Sequence, residues 1–131
     1  MNVFITGCST GIGLAAAEHF TAKGYQVIAT ARNPKSSEGL QSLDQSNDSA
    51  MVLPLDVTDQ ASVDTTIKKV TDEVGAIDVL INNAGIGHGM SVENTSIDKA
   101  REIMETNYFG AYRKMKAVIP TMRVKGSGTI I

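Results

Sequence analysis

The chain has one cysteine, no tryptophan, three prolines and only three tyrosines and three phenylalanines. A single thiol, Cys8, cannot close an internal disulfide, which excludes a disulfide-stapled scaffold and suits a reducing compartment. The chain also lacks an excess of positive charge. Twelve Lys and Arg stand against 14 Asp and Glu, for a net charge of −2, which gives no electrostatic case for nucleic acid or an anionic membrane surface. No apolar run approaches the ~20 residues of a membrane span. The opening Met1-Asn2-Val3-Phe4-Ile5 lacks the basic region and long apolar stretch of a signal peptide. It reads as a first strand, so a natural N-terminus near Met1 and a cytoplasmic location are expected. Asn47-Asp48-Ser49 and Asn94-Thr95-Ser96 then match the glycosylation pattern by chance. His19 and His88 stand far apart, without cysteines or paired acids at ligand spacing, so no metal site is expected. Nothing resembles a hydrolase nucleophile elbow.

What is present is one domain's worth of chain, 131 residues with 42% hydrophobic and 20% charged content, as in soluble globular proteins. Strand and helix patterns alternate, which argues for parallel βαβ units. Strands are expected at Asn2–Thr6, Tyr25–Thr30, Met51–Leu55 and Ile77–Asn82, the last a nearly unbroken apolar run. Helices are expected at Ile12–Lys23, closed by Gly24, and at Asp59–Val74, stopped by Gly75. Asn33–Ser37 reads as a loop, and Leu40 and Leu43 suit a short amphipathic helix. Ser96 looks like the N-cap of a long helix running to about Val124, with a bend near Pro120. Thr129-Ile130-Ile131 starts a fifth strand. Were nothing to follow, strand four would be left as a nearly bare apolar edge. The sequence reads as the first half of something longer.

The most informative segment is Thr6-Gly7-Cys8-Ser9-Thr10-Gly11-Ile12-Gly13, set between the first strand and the first helix. A helix N-terminus carries unpaired N–H groups and partial positive charge, and a pyrophosphate satisfies both. Glycines let the backbone turn tightly and approach the ligand. The segment therefore points to dinucleotide binding. Cys8 inside it reads as a small residue where bulk is not allowed; the alternative is a reactive thiol near a helix N-terminus.

Three further segments follow in order: Asp56-Val57 after strand three, Asn82-Asn83-Ala84-Gly85 at the end of strand four, and Asn107-Tyr108-Phe109-Gly110 in the long helix. Together with the glycine motif they resemble the short-chain dehydrogenase/reductase family over the whole chain. The resemblance implies a Rossmann-like doubly wound parallel α/β sheet, with residues 1–131 as its dinucleotide-binding domain, cut at the start of the fifth strand. It implies cofactor contacts from Gly7, Ser9, Thr10, Gly11, Ile12 and Gly13, with the two hydroxyls beside the adenosine ribose. Asp56 would accept from the adenine amino group and Val57 would fix the ring; the plainer reading of Asp56 is a cap ahead of Thr58. Asn83 would tie neighbouring strands together, and Ala84 and Gly85 would lie against the cofactor ribose. Asn107 resembles the family's helix asparagine that organises a water at the catalytic lysine, and is the one catalytic candidate present.

Between Glu18 and Glu38 there is no acid to hold ribose hydroxyls at the end of strand two. Arg32 stands just past that position, where a guanidinium can grip a 2′-phosphate. NADP(H) is therefore expected in preference to NAD(H), although the glycine loop has no basic residue. The family's serine, tyrosine and lysine, the last two four residues apart, would lie beyond Ile131. Tyr112 and Lys116 match that spacing but sit on the wrong side of the fifth strand; they and the other basic residues from Arg113 to Lys125 read as a solvated helix face with a half-buried tyrosine. Tyr108 and Phe109 are expected to pack against the sheet or a partner subunit. The resulting expectation is an oxidoreductase interconverting an alcohol and a ketone or aldehyde by hydride transfer, inactive as these 131 residues alone, with a homo-oligomer formed through helix 97–124. The alternative is a non-catalytic nucleotide-binding module that docks on a partner; a fragment without function of its own is a third reading.

Overall fold

The computed structural model describes residues 1–131 and shows a five-stranded, wholly parallel sheet in the order β3-β2-β1-β4-β5. Its strands are β1 (Asn2–Thr6), β2 (Gln26–Ala31), β3 (Ala50–Pro54), β4 (Val79–Ile81) and β5 (Thr129–Ile130). The helices are α1 (Gly11–Ala22), α2 (Glu38–Ser46), α3 (Gln60–Glu73), α4 (Ile97–Met104) and α5 (Gly110–Lys125). The expected strands and the helices before residue 96 are all present, with ends displaced by a residue or two, and Pro34–Ser36 forms a 3₁₀ turn inside the expected loop.

Each face of the sheet has its own core, as parallel sheets require. One layer joins Phe4, Ile28, Leu53 and Leu80 to Val63, Ile67 and Val70 of α3 and to Val118 and Met122 of α5. The other joins Val3, Ile5, Val27 and Ala29 to Ala17 of α1 and to Leu40 and Leu43 of α2. The period-2 alternation of β1 thus serves both layers. Helix starts follow side-chain caps: Ser37 accepts from Leu40 N–H, Asp59 from Ala61 N–H and Ser96 from Lys99 N–H. The strand order reverses between β1, which runs out to β2, and β4, which runs out to β5. At such a switch point the carboxyl ends of the strands leave a crevice.

The expected start of a fifth strand is present, with β5 paired to β4 through Val79↔Thr129 and Leu80↔Ile130. One expectation is corrected. The long helix is not continuous. It is interrupted at Glu105–Phe109 by a π-turn, in which Gly110 N–H donates to Glu105 O, while α5 runs on through Pro120. Widening one turn shifts the phase of everything after it. Of the two packings expected for Tyr108 and Phe109, the sheet does not take them: both are exposed, as is Tyr112.

Candidate functional site

The crevice at the switch point is a cleft of about 350 Å³, lined by residues from four successive strand ends. Ser9 and Thr10 come from the turn after β1, Ile12 from the first turn of α1, Arg32 from the end of β2, Asp56 to Thr58 from the turn after β3, and Asn83 to Ile86 from the loop after β4. Gly7 also lines it; Gly11 and Gly13 shape the turn without forming its wall.

The turn is held by contact as much as by conformation. Gly11 has φ of +62°, which favours glycine. Gly13 lies so close to its surroundings that an added Cβ would sit 2.4 Å from both Gly7 O and Asn83 Nδ2. A Cβ on Gly7 would sit 2.7 Å from Ala84 Cα. The N-cap, Thr10, makes no side-chain capping bond, and no acid occupies the first turn of α1. The first N–H groups of α1 are thus left for a ligand, and an anion suits them.

Asn83 Nδ2 donates to Thr6 O at 2.8 Å and to Gly7 O at 3.0 Å, stitching the end of β4 to the end of β1. Ala84 N–H donates to Thr6 Oγ1 at 3.0 Å. Asn107 is not on the cleft wall. Its side chain clasps the loop, with Oδ1 accepting from Ile86 N–H at 2.8 Å and Nδ2 donating to Ile86 O at 2.9 Å. The π-turn is what presents Asn107 there, and Gly85 fits beneath it, since a Cβ on Gly85 would come 3.2 Å from Asn107 Oδ1.

Asp56 Oδ1 accepts from both Thr58 N–H, at 2.9 Å, and Thr58 Oγ1, at 2.7 Å. These bonds, with the positive charge of Arg32 adding a smaller effect, hold its carboxyl below the ordinary carboxylate range. Asp56 therefore caps its own turn, and the helix cap proper is Asp59. Oδ2 of Asp56 makes no hydrogen bond within the chain. Arg32 is exposed and forms no ion pair, so its guanidinium is free to meet an anion at the cleft mouth. Val57 is shared between the cleft and the core.

Cys8 is fully buried, its Sγ lies 3.3 Å from Ile5 O, and burial pushes its thiol up to about 11. It is a packing residue and not a nucleophile. No cluster of His, Cys, Asp or Glu is arranged to hold a metal. Tyr112 is exposed and away from the cleft.

Three structural contributors escape the motif reading. Thr6 carries the hydroxyl that receives Ala84. Ser37 caps α2 and also donates to Ser9 O at 2.7 Å, which ties α2 to the glycine turn; a serine three residues before Leu40 of an amphipathic stretch is a signal that could have placed it. The third is Lys114, which is completely buried where a solvated helix face was expected.

A family model described as short chain dehydrogenase matches residues 1–131. The oxidoreductase calM of Penicillium decumbens is 40% identical over 124 residues, which cover 92% of this chain and 40% of the relative. The crystal structure of a short-chain dehydrogenase from Streptomyces avermitilis superposes with a TM-score of 0.92 at 37% identity, over 98% of this chain and 47% of that one. The closed form of serine dehydrogenase complexed with NADP⁺ superposes with a TM-score of 0.89 at 32% identity, over 99% of this chain and 52% of that one. The chain spans about half the length of the curated relatives it matches. It belongs to the short-chain dehydrogenase family of oxidoreductases.

Proposed function

We propose that this member of the short-chain dehydrogenase family binds NADP(H) in the switch-point cleft and contributes the cofactor half of a reductase or dehydrogenase that interconverts an alcohol and a carbonyl compound. The observation that carries the reading is the glycine turn, whose close approach to Ala84 and Asn83 leaves room for no side chain and whose helix N-terminus is left uncapped by any side chain. The cleft fits the cofactor's chemistry: anion-seeking N–H groups on one side, an apolar wall at Val57 and Ala84 on the other, and a free cation at Arg32. In this reading residues 1–131 form the dinucleotide-binding domain.

Gly7, Gly11, Ile12 and Gly13 would seat the pyrophosphate, and Ser9 and Thr10 the adenosine ribose. Arg32 would take the 2′-phosphate by a charge-assisted contact, which favours NADP(H) over NAD(H). Oδ2 of Asp56 would accept from the adenine amino group. Ala84 and Gly85 would support the second ribose. Asn107 acts on the loop after β4 and so holds that support in place. A bound nicotinamide supplies hydride exchange with the substrate carbon. The chain's own residues bind, orient and exclude water; the 131 residues alone would not turn over substrate. The exposed Ile97, Tyr108, Phe109 and Tyr112 support pairing of two copies through the α4–α5 arm.

The test is a fluorescence titration of the protein at its native length with NADPH and NADH, followed by an assay against simple ketones and aldehydes. Tighter NADPH binding and carbonyl-dependent NADPH oxidation are expected. Binding of neither cofactor, or preference for NADH, would overturn the reading.

A further inference from the structure

Lys114 is the one lysine in the chain with no accessible surface. It occupies the buried stripe of α5, one turn before Val118 and two before Met122. No carboxylate pairs with it. Its only hydrogen-bond partner is Thr6 Oγ1, at 3.5 Å. An ammonium offers three donors, and burying it with so few acceptors is expensive. Desolvation alone pulls this group down from 10.5 to about 8.

The same layer holds an acceptor with the opposite problem. Asn82 Oδ1 is buried and receives no hydrogen bond. The β1–β4 register pairs Phe4 with Leu80 and Ile5 with Ile81, so Thr6 and Asn82 continue it as neighbours. Two residues beyond Phe4 and Leu80, they point to the same face, which is the face that α5 covers. The Asn82 amide is anchored on its other side, where Nδ2 donates to Ile131 O at 3.2 Å. A surplus donor and an orphan acceptor thus lie at the same end of one core layer, with Thr6 between them in the register.

Thr6 is the junction. Its hydroxyl accepts from Ala84 N–H at 3.0 Å and lies 3.4 Å from Ile81 O. A hydroxyl has two acceptor sites and one proton. With Ala84 and Lys114 donating to it, its own proton must turn to Ile81 O, and its rotor is fixed.

We propose that Lys114 is a positioning residue for the cofactor cleft: its ammonium donates to Thr6 Oγ1 and, through one buried water, to Asn82 Oδ1, and so locks the Asn83–Ala84–Gly85 backbone against the glycine turn. The charged faces of the packed elements do not compete for it. Asp64, Lys68, Lys69, Asp72 and Glu73 of α3 are turned outward, and Glu105 is paired with Arg113. The consequence for cofactor affinity rests on the cleft being the NADP(H) site proposed above; the link itself does not.

Two variants test it in the protein at its native length. Lys114→Met keeps the volume in an apolar stripe and removes the donors. It is expected to melt no lower than the parent, to speed amide exchange at Ala84 about tenfold, and to weaken NADPH about tenfold. Asn82→Asp places a carboxylate beside the ammonium and is expected to raise the lysine's titration midpoint, read by NMR at its Cε. Unchanged Ala84 exchange in Lys114→Met, or an unmoved Lys114 midpoint in Asn82→Asp, would overturn the proposal. Because amide exchange and the lysine midpoint need no cofactor, they judge the link even if NADPH does not bind.

Discussion

The glycine turn and the α4–α5 arm both bear on the same loop, yet they reach it by different physics. The turn works through local geometry: a positive φ at Gly11 and backbone approaches at Gly7 and Gly13 that admit no Cβ. Its residues are contiguous, and the constraint is written in their type. The arm works at a distance. Asn107 meets Ile86, 21 residues away, and Lys114 meets Thr6, 108 residues away. Asn107 sits within the π-turn at Glu105–Phe109 and Lys114 on the buried stripe of α5, and neither contact is a property of neighbouring residues. A site can be legible where its constraint lies in contiguous residues and illegible where it is braced from afar.

The comparison breaks most sharply at Gly13. Gly13→Ala would push a methyl into Gly7 O and Asn83 Nδ2 together; NADPH binding should vanish in a titration, with about 3 kcal/mol lost in denaturant melts. Asn83→Leu should cost about 3 kcal/mol in the same melts, because Thr6 O and Gly7 O both lose their donor.

The arm is sharpened by pH. Lys114 sheds its proton near pH 8 in the folded chain and at its ordinary 10.5 when unfolded. Between those values the unfolded state binds more protons, so stability rises with pH through that window, by at most about 3 kcal/mol. Equilibrium melts at pH 8 and above should show this rise in the parent, and Lys114→Met should remove that contribution.

Smaller effects follow. Arg32→Gln should weaken NADPH by about 2 kcal/mol while leaving NADH nearly unchanged, since only a 2′-phosphate meets the guanidinium. Asn107→Ala should lose about 1 kcal/mol locally, seen as faster amide exchange at Ile86 with little change in the global melt.

Much of this was readable in the residues. Alternating apolar strands and capped helices place all five strands, and the ordered segments at Gly7–Gly13, Asp56, Asn82–Gly85 and Asn107 mark the strand ends that meet in the cleft. The misreadings have separate causes. Its charge puts Lys114 among the solvated basic residues, yet it lies on the buried stripe of α5. The π-turn that interrupts the long helix is announced by no residue type between Glu105 and Phe109. Asp56 shows the converse: its hydrogen bonds to Thr58 are the plainer capping reading, and they leave one oxygen for a ligand.

The central claim is that these strand ends form one NADP(H) site. Amide chemical-shift mapping of the native-length protein with NADP⁺ tests it most directly. Shifts are expected to concentrate at Ser9–Gly13, Arg32, Asp56–Thr58 and Ala84–Ile86, with Ala84 among the largest. Shifts confined elsewhere, or none at saturating NADP⁺, would contradict it.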